Sequence, residues 1–123
     1  MIRLVKGAYS EPQELAYQEM PEIRSRYEGL LEYLFANAKS FATGTHDHTL
    51  IARALKLSEG SHGSCEFQML MGMRDPLKRR LASSGHRVVE YVPYGTDWYS
   101  YGLRRLKEKR RNILYFAEGL MGR

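Results

Sequence analysis

Cysteine is nearly absent: Cys65 stands alone in 123 residues. One thiol excludes an internal disulfide and a cysteine-based zinc cluster, and makes a reducing cytoplasm the expected compartment. No apolar run approaches the ~18–20 residues of a membrane span. The opening segment MIRLVKGAYSEPQE meets charge too early for a secretory signal. Four prolines and 11 glycines are too few for a collagen-like or disordered chain. Standard motifs are missing as well. Neither a Walker A loop nor GxGxxG is present to cradle phosphates, and no GxSxG elbow carries a hydrolase serine. The run THDH, Thr45 to His48, offers ligating side chains, but its spacing matches no zinc helix, so no metal is expected.

What is present is ordinary for one modest globular domain, 43% hydrophobic and 27% charged. The formal charge of +5 favours an anionic partner without choosing between nucleic acid, acidic lipid and a phosphorylated cofactor. Much of the excess sits in YSYGLRRLKEKRRN, residues 99–112. On composition alone that run reads as a solvated basic face. A nucleic-acid-binding module using Lys107 to Arg111 is a weaker alternative, because no groove-reading motif or stacking platform accompanies it, and no nucleic-acid partner is expected.

The organisation is strand–helix, repeated four times. IRLVKGAY (Ile2 to Tyr9) reads as a strand. A long helix follows, with Pro21 near its start and Ile23, Tyr27, Leu30, Leu31, Leu34, Phe35 and Ala38 at helical spacing. SFATGT (Ser40 to Thr45) is the second strand, and Asp47 caps a helix carrying Leu50, Ile51, Ala54 and Leu55. CEFQMLM (Cys65 to Met71) is the third strand, with Met69, Met71 and Met73 expected to pack. Asp75 is the expected N-cap of the next helix, with Pro76 at its first helical position and Gly85 as its stop. RVVEYVPY is the fourth strand, ended by Pro93. Thr96 or Asp97 caps a helix through the basic run, and NILYFAEGLMG closes the chain as a short helix. Such alternation predicts an α/β fold with a parallel sheet and right-handed crossovers. Four units are half the count of a closed barrel, and a small open parallel sheet fits the pattern equally well.

Sites in such folds form at the carboxyl ends of the strands. Polar residues there are Lys6 and Tyr9, then Thr45, His46 and Asp47, then Gln68, then Tyr91 and Tyr94. In the basic run, Tyr101, Arg104, Arg105 and Glu108 are spaced i, i+3, i+4 and i+7 and share one helical face. Adjacent arginines can converge on one carboxylate through planar, charge-assisted donors.

RLVKGAY, ATGTHD, EFQMLMGM and YVPYGTDWYSYGLRRLKE, in that order, resemble the proline dehydrogenase family from Ile2 to about Phe116. The resemblance implies an FAD-dependent oxidation of L-proline to 1-pyrroline-5-carboxylate on a (βα)₈ barrel, of which residues 1–123 form one partial domain, the C-terminal half with four βα units. Residue by residue, it makes Arg3 the catalytic arginine beside the reactive flavin edge. It gives FAD contacts to Arg3, Val5, Lys6, Gly7, Ala8, Thr45 and His46. Ala8, Leu70, Tyr91 and Tyr101 then surround the proline ring, Arg104 and Arg105 bind its carboxylate, and Glu108 supports them. The family's usual ATHD reads ATGTHD here, an insertion-like departure that leaves the strand register at that point open.

The family's first four strands have no counterpart in these residues, and they carry a substrate-side lysine, an aspartate and a flavin-contacting glutamine. The resemblance therefore implies a complementary N-terminal half-barrel as partner, or self-association, with a catalytically inactive barrel fragment as the alternative. A quinone electron acceptor is implied by the family, with a cytoplasmic location peripheral to the inner membrane.

Overall fold

The computed structural model describes residues 1–7, 11–61, 63–92 and 94–96. Four strands, β1 (Ile2–Val5), β2 (Ser40–Gly44), β3 (Ser64–Leu70) and β4 (Arg87–Tyr91), alternate with three helices, α1 (Met20–Asn37), α2 (His48–Ser58) and α3 (Asp75–Ser83). The strands form one sheet in the order β1-β2-β3-β4, and every pair is parallel. By its contacts the chain divides into two units, Met1–Tyr91 and Val92–Arg123. All seven elements lie in the first. Of the second, the described residues are Val92, Tyr94, Gly95 and Thr96, all exposed.

Each helix buries one stripe. In α1 the buried residues Tyr27, Leu31, Leu34 and Phe35 recur at i, i+4, i+7 and i+8, and the Phe35 ring meets Phe41 of β2 edge-on at 4.9 Å. Asp47 caps α2 by accepting from the Thr49 amide at 3.1 Å. α3 ends in a Schellman turn: Gly85 has φ +84°, its amide donates to the Ala82 carbonyl, and the His86 amide donates to Leu81. One cluster joins Leu31, Leu50, Ile51, Ala54 and Leu81 from the helices to Phe41, Phe67 and Met69 from alternate strand positions. All three helices therefore cover the same face of the sheet. Consecutive strand order with helices on one face is the single winding of a barrel wall; a doubly wound open sheet would reverse its strand order and carry helices on both faces. The α/β parallel sheet is thus consistent with part of a (βα)₈ barrel.

Several local expectations change. The first strand ends at Val5 rather than Tyr9, of which Ala8–Ser10 lie outside the described residues, and the fourth ends at Tyr91. Asp75 is not the N-cap of α3. Arg74 holds that position with φ +52°, and Asp75, the first helical residue, pairs its carboxylate with Lys78 at 2.6 Å. Leu30 faces outward from α1 and Met71 lies past the end of β3, each about half exposed. The expected helices beyond Thr96 lie outside the described residues.

Candidate active site

Strand alternation sorts side chains by face, and the register fixes which ones are neighbours. Phe41, Thr43, Phe67 and Met69 point to the helices. The opposite face carries Arg3 and Val5 of β1, Ala42 and Gly44 of β2, Glu66, Gln68 and Leu70 of β3, and Arg87, Val89 and Tyr91 of β4. The carboxyl-terminal half of this face is where the expected site residues fall.

Five side chains on this face form a connected network. Arg3 Nε donates to Gln68 Oε1 at 2.6 Å, and the Tyr91 hydroxyl donates to the same oxygen at 3.2 Å. The Arg3 guanidinium lies over the Tyr91 ring at 4.3 Å, a cation–π contact. Gln68 Nε2 in turn donates to Glu66 Oε1 at 2.6 Å, and Arg87 Nε donates to Glu66 Oε2 at 2.8 Å. Glu66 and Gln68 are buried while Arg87 is largely exposed. Arg3 reaches Gln68 across the intervening strand over Gly44. A methyl group there would stand 3.4 Å from Arg3 Nη2 and from Val5 Cγ2.

β2 pairs without a bulge, with β1 over Phe41–Gly44 and with β3 over Ser40–Gly44. The register left open at ATGTHD therefore runs unbroken to Gly44, and Thr45 and His46 lie immediately past the strand end. His46 Nε2 accepts from the Leu70 amide at 3.4 Å, which ties the loop after β2 to the end of β3. Thr45 Oγ1 accepts from the Asp47 amide at 3.1 Å.

A second polar centre lies beside the first. Asp47 Oδ2 accepts from Lys6 Nζ at 2.7 Å and from Arg24 Nε of α1 at 2.9 Å, with the aspartate side chain almost fully buried. Burial alone would raise its pKa, but the hydrogen bonds and charges of Lys6 and Arg24 outweigh it and hold the carboxyl far below the usual range. Lys6 thus reaches the strand-end rim held by an ion pair, and the three groups together leave one net positive charge. Gly7 follows with φ +86° and open space above it, a bare backbone that a ligand can approach closely. Elsewhere, burial and then the Glu66 carboxylate push the Cys65 thiol up to about 12, so it is no nucleophile. Among the described residues no group of three or more His, Cys, Asp or Glu could hold a metal, and no helix is long and apolar enough to cross a membrane.

Of the expected site residues, the structure gathers Arg3, Val5, Lys6, Gly7, Thr45, His46, Leu70 and Tyr91 along one rim. Ala8, Tyr101, Arg104, Arg105 and Glu108 lie outside the described residues. Sequence reading gave no site role to Glu66, placed Gln68 only among the polar strand ends, gave Asp47 a strand-end place and a capping role, and did not single out Arg24. The signal for the first two was present in EFQMLM, where polar residues at 66 and 68 precede Leu70 at period two on a strand whose other positions are apolar.

Fold and rim together define a singly wound α/β protein with a polar site at its strand ends. The model of the proline dehydrogenase family matches residues 1–114, across both units of the chain, and the chain belongs to that family. It is 37% identical over 123 residues to proline dehydrogenase of Deinococcus radiodurans, covering 98% of this chain and 40% of that protein. To proline dehydrogenase 2 of Bacillus subtilis strain 168 it is also 37% identical, with 97% and 40% covered. Proline dehydrogenase 1 of the same strain is 35% identical, with 98% and 41% covered. The chain thus spans about 40% of the length of the curated relatives it matches.

Proposed function

We propose that this chain forms one half of a barrel that binds FAD and oxidises L-proline to 1-pyrroline-5-carboxylate, supplying part of the flavin site and the clamp for the substrate carboxylate. The observation that carries this reading is the contact of Arg3 with Tyr91 through Gln68. The residue expected at the flavin edge and the one expected at the substrate ring are physical neighbours at the strand ends. Family membership supports the same assignment.

The residues suit an anionic, planar cofactor. Arg3 offers a delocalised cation on the inner face, the Lys6–Arg24–Asp47 cluster keeps positive charge at the rim, and Gly7 leaves backbone open there. FAD, when bound, accepts the hydride that leaves the proline ring carbon. The protein's part is orientation and electrostatics. Arg104 and Arg105 hold the carboxylate with Glu108 supporting them; Tyr91, Leu70, Ala8 and Tyr101 wall the ring. Arg3 places positive charge where reduction builds negative charge. Val5, Thr45 and His46 complete the cofactor side.

The test is a graft: this chain replaces the matching segment of the D. radiodurans relative. The chimera is expected to purify yellow and to reduce a dye with L-proline, and Arg104→Met is expected to raise the proline KM about tenfold or more by removing a charge-assisted hydrogen bond. A chimera that retains flavin but does not oxidise proline overturns the reading.

A further inference from the structure

Gln68 hydrogen-bonds to both Arg3 and Tyr91, and its amide has only one orientation that satisfies these neighbours. A carboxylate accepts and never donates, so Glu66 fixes the Gln68 NH₂ toward itself. Gln68 Oε1 must then face the other way, where both its lone pairs are filled, by Arg3 Nε at 2.6 Å and Tyr91 Oη at 3.2 Å. A flipped amide would set donor against donor at Arg3 and leave Glu66 Oε1 without this partner. Arg87, at 2.8 Å from the second Glu66 oxygen, neutralises the carboxylate and anchors it. The relay runs over four strands: Arg87 on β4, Glu66 and Gln68 on β3, Arg3 on β1 through the lane over Gly44, and Tyr91 back on β4. Glu66 and Gln68 are buried, so water competes poorly for the bond between them, and the fixed amide presents its Oε1 to the exposed Arg3 and Tyr91 side chains.

We propose that Gln68, oriented by Glu66, is a positioning residue that locks the Arg3 guanidinium onto the Tyr91 ring and so couples the cofactor side of the site to its substrate side. The coupling rests on the function proposed above; the lock itself does not. Arg3 has a long, flexible side chain, and an unheld guanidinium would sample many rotamers. The relay reduces them to one, stacked on Tyr91, before any ligand binds. Neither Glu66 nor Gln68 need touch the reacting atoms to do this.

Nitrogen-15 NMR of the full 123-residue chain tests the lock without any ligand. In the unaltered chain, Arg3 Nε–H is expected as a distinct signal in slow exchange with water, with cross-relaxation from the Arg3 side chain to the Tyr91 ring. Its absence overturns the proposal with no variant needed. Gln68→Ala, Glu66→Gln and Gly44→Val are expected to lose that protection by three routes: deleting the hub, freeing the amide to flip, and filling the lane with a residue that favours strands. Protection unchanged in Gln68→Ala or Glu66→Gln overturns it. In the flavin-loaded chimera, Gln68→Ala is expected to shift the flavin absorption band, lower kcat and raise KM together, with kcat/KM falling about tenfold or more. Loss of the lock in the variant chain without change in either flavin spectrum or kinetics overturns the coupling, and that failure belongs to the functional reading; absence of the NMR signature from the unaltered chain belongs to the relay.

Discussion

At the scale of single residues, charge is placed by burial and partners more than by residue type. Asp47 takes three roles at once: cap of α2, anchor of Lys6 just past β1, and anchor of Arg24 from α1. Because its folded pKa is depressed, the stability it contributes is complete above the unfolded value of about 4 and is lost as pH falls toward the folded one. Asp47→Asn keeps an oxygen for the Thr49 amide but removes the charge. It is expected to cost about 1.5–3 kcal/mol at neutral pH, the range for hydrogen bonds to a charged group. The difference between the two proteins should shrink as pH falls below about 4. Urea unfolding at neutral and acid pH measures this, and a difference independent of pH would show that Asp47 acts as a cap alone. Tyr27 shows the opposite sign: burial, partly offset by the 2.5 Å hydrogen bond with Thr43, pushes its hydroxyl up to about 12, so it stays neutral and contributes no pH dependence in that range.

Elements make a different demand, on space around the backbone. Gly63 enters β3 where an added Cβ would lie 2.7 Å from the Ala38 carbonyl, beside the Ser61 hydroxyl that donates to the Phe35 carbonyl at α1's end. Backbone cannot yield there as a side chain would, so Gly63→Ala is expected to destabilise by about 1–3 kcal/mol. Gly29 sits inside α1 with open space around it, and Gly29→Ala is expected to stabilise by about 0.5–1 kcal/mol through helix propensity and the entropy of the unfolded chain. Midpoints of urea unfolding moving in the same direction would refute this contrast. The same distinction explains what was legible in the sequence. Helical periodicity located α1, and the Asp47 cap and the Gly85 stop bounded α2 and α3, because those signals are local. The N-terminus of α3 was misplaced: Asp-Pro reads as cap and first turn, and nothing local reveals that Arg74 takes the left-handed cap position. The rim was legible as a set of strand ends. Its wiring was not, since the bond from Arg3 to Gln68 joins residues 65 positions apart and depends on a register that periodicity leaves open.

For the whole molecule the question is what completes the sheet. Among the described residues β1 pairs only with β2, and β4 only with β3, so each has an outer row of unpaired backbone groups, a template for another strand. The face opposite the helices also exposes apolar surface, with Val5 and Tyr91 each at least two-fifths accessible. In the proposed half-barrel both features would meet complementary strands, and without them they favour association between copies. The net charge of +5 opposes that association, and salt screens such repulsion over a Debye length of about 8–10 Å at ordinary ionic strength while leaving apolar contact intact. The chain alone is therefore expected to self-associate more strongly as salt rises, as followed by sedimentation velocity over a wide range of concentration. Co-expression with the complementary segment of one of the relatives should replace self-association with a one-to-one complex, because strand edges paired with the right partner are no longer open to a second copy. Association that weakens with salt would mean that charge pairing, not sheet completion, holds the copies together. A concentration-independent monomer with a sharp thermal transition would mean that these edges are already satisfied within the chain, and the half-barrel reading would fall with them.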